Sequence, residues 1–393
     1  MMNKIKFLIL LSAILAALSA CGSKDGPSDS PSQESSAGST QPSVSAPQLP
    51  VSETPPPNIV VEDDSQPPRE GMVRSRLTNE WVDAGVAATR PIAVVIPNEI
   101  NALPHYSLSE ASILYEANVE YRMTRMMAVY EDWQSLDKIG NVRSLRTYYA
   151  YWAFEWDAFL VHLGGPFFID DLIAQPTTEN IDGILGTDDP AFFRSTDRNA
   201  PHNAYATGAG LKRIIGDKGY SLNYRNMADT PHFQFSSKLH PNTLDQYDSS
   251  AKSAVSIDMS GCYPLTRCYF EYNEDDGLYY RSQYLSGGTD GPHIDEATGE
   301  QLTFKNILVQ YISYEDLGEG YLALQCQDTA KAGWFFTNGK GIQRLWRHKV
   351  LRRVRQRDNA QHGQDHDMCG TGRRFLYFPL TSLFKQKRAG ASP

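Results

Sequence analysis

The chain has 393 residues, a net charge of −9 and 41% hydrophobic residues, enough apolar material for two or three packed domains. Ordinary apolar content excludes a wholly disordered or fibrous chain. The charge is uneven: residues 344–393 carry twelve Lys/Arg against three acids, a net +9, which leaves −18 on the rest.

In chain order, the N-terminus comes first. Lys4 and Lys6 precede the apolar run FLILLSAILAA, and LSAC follows at Leu18–Cys21. The run is short for a membrane span and ends in small residues, which is the pattern of an export signal. A cysteine at the cut is similar to the bacterial lipobox. That resemblance implies that Cys21 is lipidated, with a palmitate-type acyl chain, and becomes the mature N-terminus. An extracytoplasmic protein, lipid-anchored to the bacterial cell membrane, is therefore expected. Residues 22–70 are rich in Ser, Pro and Gly with few aliphatic residues. Such a segment cannot bury enough apolar surface to offset its ordering entropy, so a disordered tether is expected.

From about Arg90 the composition becomes globular. PIAVVIPN is a short apolar run expected as a buried strand. ASILYEANVEY and TRMMAVYED read as a strand pair or meander, and RSLRTYYAYWAFEWD predicts a helix over 143–157. AFLVHLGGP is a strand entering a turn, while FFIDDLIAQ and 208–220 are helix-like. Strands and helices mix, so residues 72–235 are expected as an α/β or α+β domain with a mixed sheet. From 236 to 341 the pattern changes to aromatic β-runs. TRCYFEYNEDDGLYYRSQY is a hairpin around Asp-Gly, and NILVQYISYED, YLALQCQD and GWFFTNGKG continue it. A smaller, mainly antiparallel β domain is expected there. Cys262 and Cys268 flank a short loop in an exported chain, where a local disulfide would fit. Cys326 lies in an apolar run and is expected as a core thiol.

The phrases RPIAVVIPN, LSEASILYEANVEYRMTRMMAVY, KIGNVRSLRTYY, VHLGGP, RNAPHNAYAT, GPHIDEATGEQL, NILVQY and GWFFTNGKG resemble, in order, the YerB-like family of bacterial lipoproteins, which carries two domains of unknown function. The resemblance covers roughly 72–341. It implies no established activity. Where the family has Asp before the Asn that closes the first strand, this chain has Pro97.

The family pattern continues past 341, and the written tail does not follow it. QHGQDHDMCG places His362, His366 and Cys369 at a zinc-like spacing. Read one nucleotide later through the genetic code, Gln361–Cys369 can encode N-T-G-K-T-M-I-C, a family-like phrase. The windows from Arg344 and Arg373 can yield acidic, Tyr-rich runs in the same shifted frame. Residues 342–393 are therefore read as an out-of-frame, disordered tail, with no metal and no nucleic-acid partner assigned to it.

Candidate chemistry concentrates in the first domain. Arg143 and Arg146, three apart at the start of the expected helix, share a face and call for something negative nearby. Glu116 and Glu120 or an anionic ligand would supply it. His162 ends a strand before Gly164 and Gly165. His202 and Asn203 lie in a turn before a helix, where Asn203 would serve as its cap. Asn98, Arg125 and Arg198 complete the set, with His293 the comparable residue of the second domain. There is no G-x-S-x-G, H-E-x-x-H or Walker loop, and no cofactor is expected. Two readings stay open: binding of an anionic cell-wall polymer or envelope protein, or a hydrolase or transferase with His162 and His202 as general acid and base and Arg stabilising the anion.

Overall fold

The computed structural model describes residues 65–225, most of 233–346, and 378–384. Cys21 and nearly all of the expected tether lie outside the described residues, as do His362, His366 and Cys369.

A short hairpin of β1 (Met72–Arg74) and β2 (Trp81–Asp83) leads through α1 (Ala84–Ala88) into β3 (Ile92–Pro97). Every residue of β3 is buried, as a continuous apolar run with no polar alternation demands of a central strand. β4 (Ile113–Asn118) and β5 (Thr124–Tyr130) follow as an antiparallel pair, then the two-residue β6 (Ile139–Gly140). Next come α2 (Thr147–Glu155), β7 (Phe159–His162), α3 (Asp170–Ile173) and β8 (Asn180–Asp182). β7 runs parallel to β3, and β8 runs parallel to β7. β9 (Phe192–Arg194) and β10 (Ala204–Ala206) join β6 in a small sheet, and α4 (Gly208–Asp217) completes this half.

The second half is antiparallel. After β11 (Lys252–Ser253), the strands β12 (Ser256–Asp258), β13 (Cys268–Asn273), β14 (Leu278–Tyr284) and β15 (Asp290–Pro292) form one sheet, with β16 (Thr303–Phe304) also on β14. β17 (Asn306–Ile312) precedes a hairpin of β18 (Tyr314–Gly318) and β19 (Tyr321–Leu324). β20 (Lys331–Thr337), β21 (Lys340–Trp346) and β22 (Phe378–Phe384) follow. The two halves share a ten-stranded sheet of order β11-β21-β20-β17-β22-β4-β5-β3-β7-β8. No structural boundary falls at 341: β21 runs on to Trp346, and β22 lies between β17 and β4.

Strand alternation divides the core between the two faces of this sheet. Ile92, Val94 and Ile96 face Trp133, Leu211 and Ile215 of the first half, and Phe270 and Phe304 of the second. Ala93 and Val95 face the aromatic helix, Tyr148, Tyr149 and Trp152. The aromatics of α2 are thus core. Cys326 is buried there too, and Cys262 and Cys268 are free thiols.

Two local expectations are corrected. The helix expected over 143–157 begins at Thr147, because the preceding backbone is extended. Arg143 N donates to Val95 O at 2.8 Å, Leu163 N donates to Arg143 O at 3.1 Å, and Leu145 N donates to Gly164 O at 2.9 Å. Residues committed to two neighbouring strands cannot also close helical hydrogen bonds. Arg143 and Arg146 therefore do not share a helix face, and Arg146 is the residue before the helix. The cap of α4 is Thr207, whose hydroxyl accepts from Gly210 N at 3.0 Å. Asn203 instead bonds Ser195 O at 3.0 Å and accepts from Arg194 at 2.9 Å.

Candidate functional site at the carboxyl ends of the parallel strands

β3 and β7 are paired as far as Val94 and Val161. Beyond that point they part, and the extended segment 143–145 lies between them through the backbone bonds just described. Crevices at the carboxyl ends of parallel strands are where open α/β sheets hold ligands, since loops there converge on unpaired strand ends. At this end of the sheet lie Asn98 and Glu99 after β3, Gly164 and Gly165 after β7, and the 141–146 segment itself.

The segment brings a group of cations together. Arg146 and Glu120 form a buried ion pair, with Arg125 Nη2 3.8 Å from the other carboxylate oxygen of Glu120. Arg125 also donates to Ser144 O at 2.6 Å, and Arg146 donates to Leu145 O at 2.6 Å. Arg146 lies 5.4 Å from the ring of Tyr321, so the β18–β19 hairpin of the second half covers this pair. Burial first, then the neighbouring Arg146 and Arg143, push Arg125 down to about 10 against the pull of Glu120. Arg146 and Arg125 are thus largely satisfied by protein.

Arg143 is not. It makes no ion pair among the described residues, and its Nε is buried without a hydrogen-bond partner. Its guanidinium is close enough to His202 to lower that ring's affinity for protons, together with Arg198 and, above both, burial. His202 Nε2 lies 3.5 Å from Glu99, while its Nδ1 is buried and unpartnered. Arg198 donates to Ala102 O at 3.1 Å and Pro104 O at 3.2 Å. A half-buried arginine and a neutral histidine with open positions can accept an anion: guanidinium gives a bidentate donor, and histidine gains a proton as the anion arrives.

His162 does not share this pocket. It is fully buried, its Nδ1 lies 3.0 Å from Gly164 O and 3.8 Å from Asp182, and burial holds it below the ordinary histidine range against the pull of Asp182. Among the described residues no hydrogen-bond or ion-pair partner is common to His162 and His202. The glycines after His162 serve packing. A Cβ on Gly164, whose φ is +62°, would meet Ile184 at 2.3 Å, and one on Gly165 would meet Ile169 at 2.1 Å.

Asn98 and Glu116 lie in a second, fully buried polar group between the halves. Glu116 accepts from Asn98 and Thr124, both at 2.8 Å, and pairs with Arg281 at 3.1 Å. Thr124 meets Thr266 at 2.6 Å, and the amides of Asn98 and Gln283 meet at 2.7 Å. Arg281 also bonds His293 Nδ1, His293 Nε2 meets His105 Nδ1 at 2.9 Å, and His105 Nε2 meets Pro97 O at 2.8 Å. Asp295 fastens the same seam by accepting from Ser107 N at 2.9 Å and Ser109 N at 2.7 Å. Pro97, the last residue of β3, contributes its carbonyl here. Every one of these side chains is closed off from solvent, so the group joins the halves and offers no ligand access. Sequence reading missed His105, Arg281 and Gln283. The one usable signal was the strand alternation of β14, which sends Arg281 and Gln283 to the face opposite Tyr280 and Ser282.

The fold thus defines a two-domain protein in which a mixed α/β half and an antiparallel β half are joined by a common sheet and a buried polar seam. Residues 77–221 match the family model described as "Protein of unknown function (DUF3048) N-terminal domain", and residues 258–372 match the corresponding C-terminal domain. The chain belongs to this two-domain, YerB-like family. It is 26% identical over 288 residues to "Putative lipoprotein YerB" of Bacillus subtilis (strain 168), covering 73% of this chain and 81% of the relative. The crystal structure of YerB protein from Bacillus subtilis has the same fold, with a TM-score of 0.58 at 24% identity, covering 70% of this chain and 87% of that one.

Proposed function

We infer that the chain is a lipid-anchored envelope protein that binds an anionic group at Arg143 and His202. One observation carries this reading: Arg143 sits among Arg125, Arg146, Arg198 and His202 with no carboxylate of its own and with a buried, unpartnered Nε. A cation left without a counterion in a half-buried crevice is costly unless an anion completes it. The apolar surroundings favour an anion carried by a protein or polymer over a free ion. Phe167 is 83% exposed, Ile184 65% and Tyr121 67%, and they border this end of the sheet through Phe168, Gly164 and Gly320. Exposed apolar groups around a charged centre are the usual make-up of an interaction surface.

The enzymatic reading has less support. Its two histidines lie in separate environments, and His162 has no open face. The test is calorimetric titration of the full-length protein, in detergent, with poly(glycerol phosphate) and with poly-glutamate. Arg143→Gln and His202→Gln are each expected to weaken binding about tenfold, the loss of one charge-assisted contact worth on the order of 1.4 kcal/mol. Equal affinity in both variants would remove this site from consideration.

A further inference from the structure

A second surface lies on the outer face of the β12–β16 sheet, away from the polar seam. The register sets Tyr269 opposite Ser282 and Glu271 opposite Tyr280. It also sets Ser282 opposite Pro292 and Tyr280 opposite Thr303. Alternation sends Phe270, Arg281 and Gln283 inward and this set outward. The outward set lines an open groove of about 500 Å³, with Gln301 and Asn273 at its sides.

The two tyrosines are fixed at their far ends. Tyr269 donates its hydroxyl to Asp290, and Tyr280 donates to Asp276 at 2.5 Å. The ring of Tyr269 also packs against Tyr284 at 5.1 Å. Rings held this way lose little entropy when something stacks on them. Gln301 gives its NH₂ to Arg281 O at 2.8 Å and to Ser282 at 3.1 Å, which leaves its carbonyl oxygen to accept.

Charge selects the occupant. Among the described residues no cation lines the groove, and Glu271 is the one carboxylate that does. Phosphate polymers and acidic peptides have nothing to pair with and one carboxylate to avoid. A basic peptide finds Glu271 as the one carboxylate lining the groove, while Asp276 and Asp290 lie beyond it and accept from tyrosine hydroxyls. Flat aromatic walls beside neutral hydroxyl and amide groups match a ligand with apolar ring faces and hydroxyl or amide edges. An open groove across a sheet suits a chain-like ligand.

We propose that this groove binds a neutral polysaccharide, with sugar rings stacked on Tyr269 and Tyr280 and their hydroxyl or amide edges bonded to Gln301 and Asn273. The site is separate from the Arg143 crevice and takes a ligand of different charge, so either reading can fail alone.

The experiment is calorimetric titration of the full-length protein in detergent with N-acetylated chitohexaose, with hexalysine as the charged comparison. Saturable binding of the hexasaccharide is expected, weakened at least tenfold in Tyr269→Ala and in Tyr280→Ala. Because alanine at either position could loosen the sheet, Glu271→Arg is the second variant. Position 271 is exposed, and a long side chain there would obstruct the groove without touching the core. It too is expected to weaken binding at least tenfold. Absence of hexasaccharide binding, unchanged affinity in Glu271→Arg, or tighter binding of hexalysine than of the hexasaccharide would each overturn the proposal.

Discussion

Nε2 of His293 lies 2.9 Å from Nδ1 of His105, and the neighbours on either side allow one proton arrangement between them. Arg281 can only donate, so His293 Nδ1 accepts and its proton sits on Nε2. His105 Nδ1 therefore accepts, and its own proton on Nε2 goes to Pro97 O, which can only accept. Both rings are neutral and every position is used. A further proton on either ring would break a bond in a buried seam.

Acid should consequently loosen the seam. Burial pushes His105 down to about 3, and burial with Arg281 and His105 pushes His293 well below the ordinary value. The unfolded chain takes up these protons near pH 6.5 and the folded chain does not, so stability rises with pH across this window. Stability is full above about pH 6.5 and falls toward pH 3 by roughly 1.4 kcal/mol per pH unit per histidine. Urea unfolding from pH 7 to 4 is expected to show this slope, reduced in His105→Gln. A variant slope equal to that of the parent would show that the pair does not carry the effect.

The ion pair beside the histidines gives a second expectation. Glu116 and Arg281 are both essentially inaccessible to solvent. Arg281→Met leaves a buried carboxylate without its partner, which typically costs about 3–5 kcal/mol. Adding Glu116→Gln should restore part of that loss, since the uncompensated charge is then gone. Denaturant midpoints of the two variants decide it: a double variant less stable than Arg281→Met would rule out this reading of the seam.

Arg143 and Arg146 look alike in sequence and should behave in opposite ways. Arg146→Gln removes the partner of buried Glu120 and is expected to cost about 3–5 kcal/mol of stability. Arg143→Gln removes a cation that has no ion-pair partner among the described residues, so stability should stay within about 1 kcal/mol or rise. The anion titration should show the reverse ranking, with Arg143→Gln the more damaging for binding. Equal destabilisation by both would mean that Arg143 is another structural arginine.

Much of this was legible from residue order. The unbroken apolar run of β3 and the hairpin around Asp276-Gly277 follow from local chemistry, and both form as that chemistry requires. The start of α2 was not legible, because residues 143–145 are held extended by Val95 and Gly164, each far away in the chain. His105 was invisible for a similar reason: its partner is 188 positions away, and a histidine in LPHYS has no pattern of its own. The cationic cluster was half legible. Residue types named Arg143 and His202, but only the fold sets His202 beside Glu99 and His162 beside Asp182.

The C-terminal tail carries the last expectation. A strand position exists between β17 and β4, and β22 occupies it with Asn306 opposite Phe384 and Glu116 opposite Thr381. The written sequence puts Pro379 in that strand, opposite Tyr311. Proline has no backbone N–H to donate, and strands paired on both sides rarely contain it. Read one nucleotide later, the codons of residues 372–378 can encode D-D-D-F-Y-I-S, which ends where β22 begins, and the shifted Pro379 codon need not encode proline. Against this stands the family match, which follows the written sequence to residue 372. Resequencing the DNA across codons 338–393 and weighing the mature protein are expected to give the shifted frame, with N-T-G-K-T-M-I-C in place of Gln361–Cys369. If the written frame and its mass stand, Pro379 belongs to the native strand, and the +9 tail with His362, His366 and Cys369 becomes the segment to titrate with zinc.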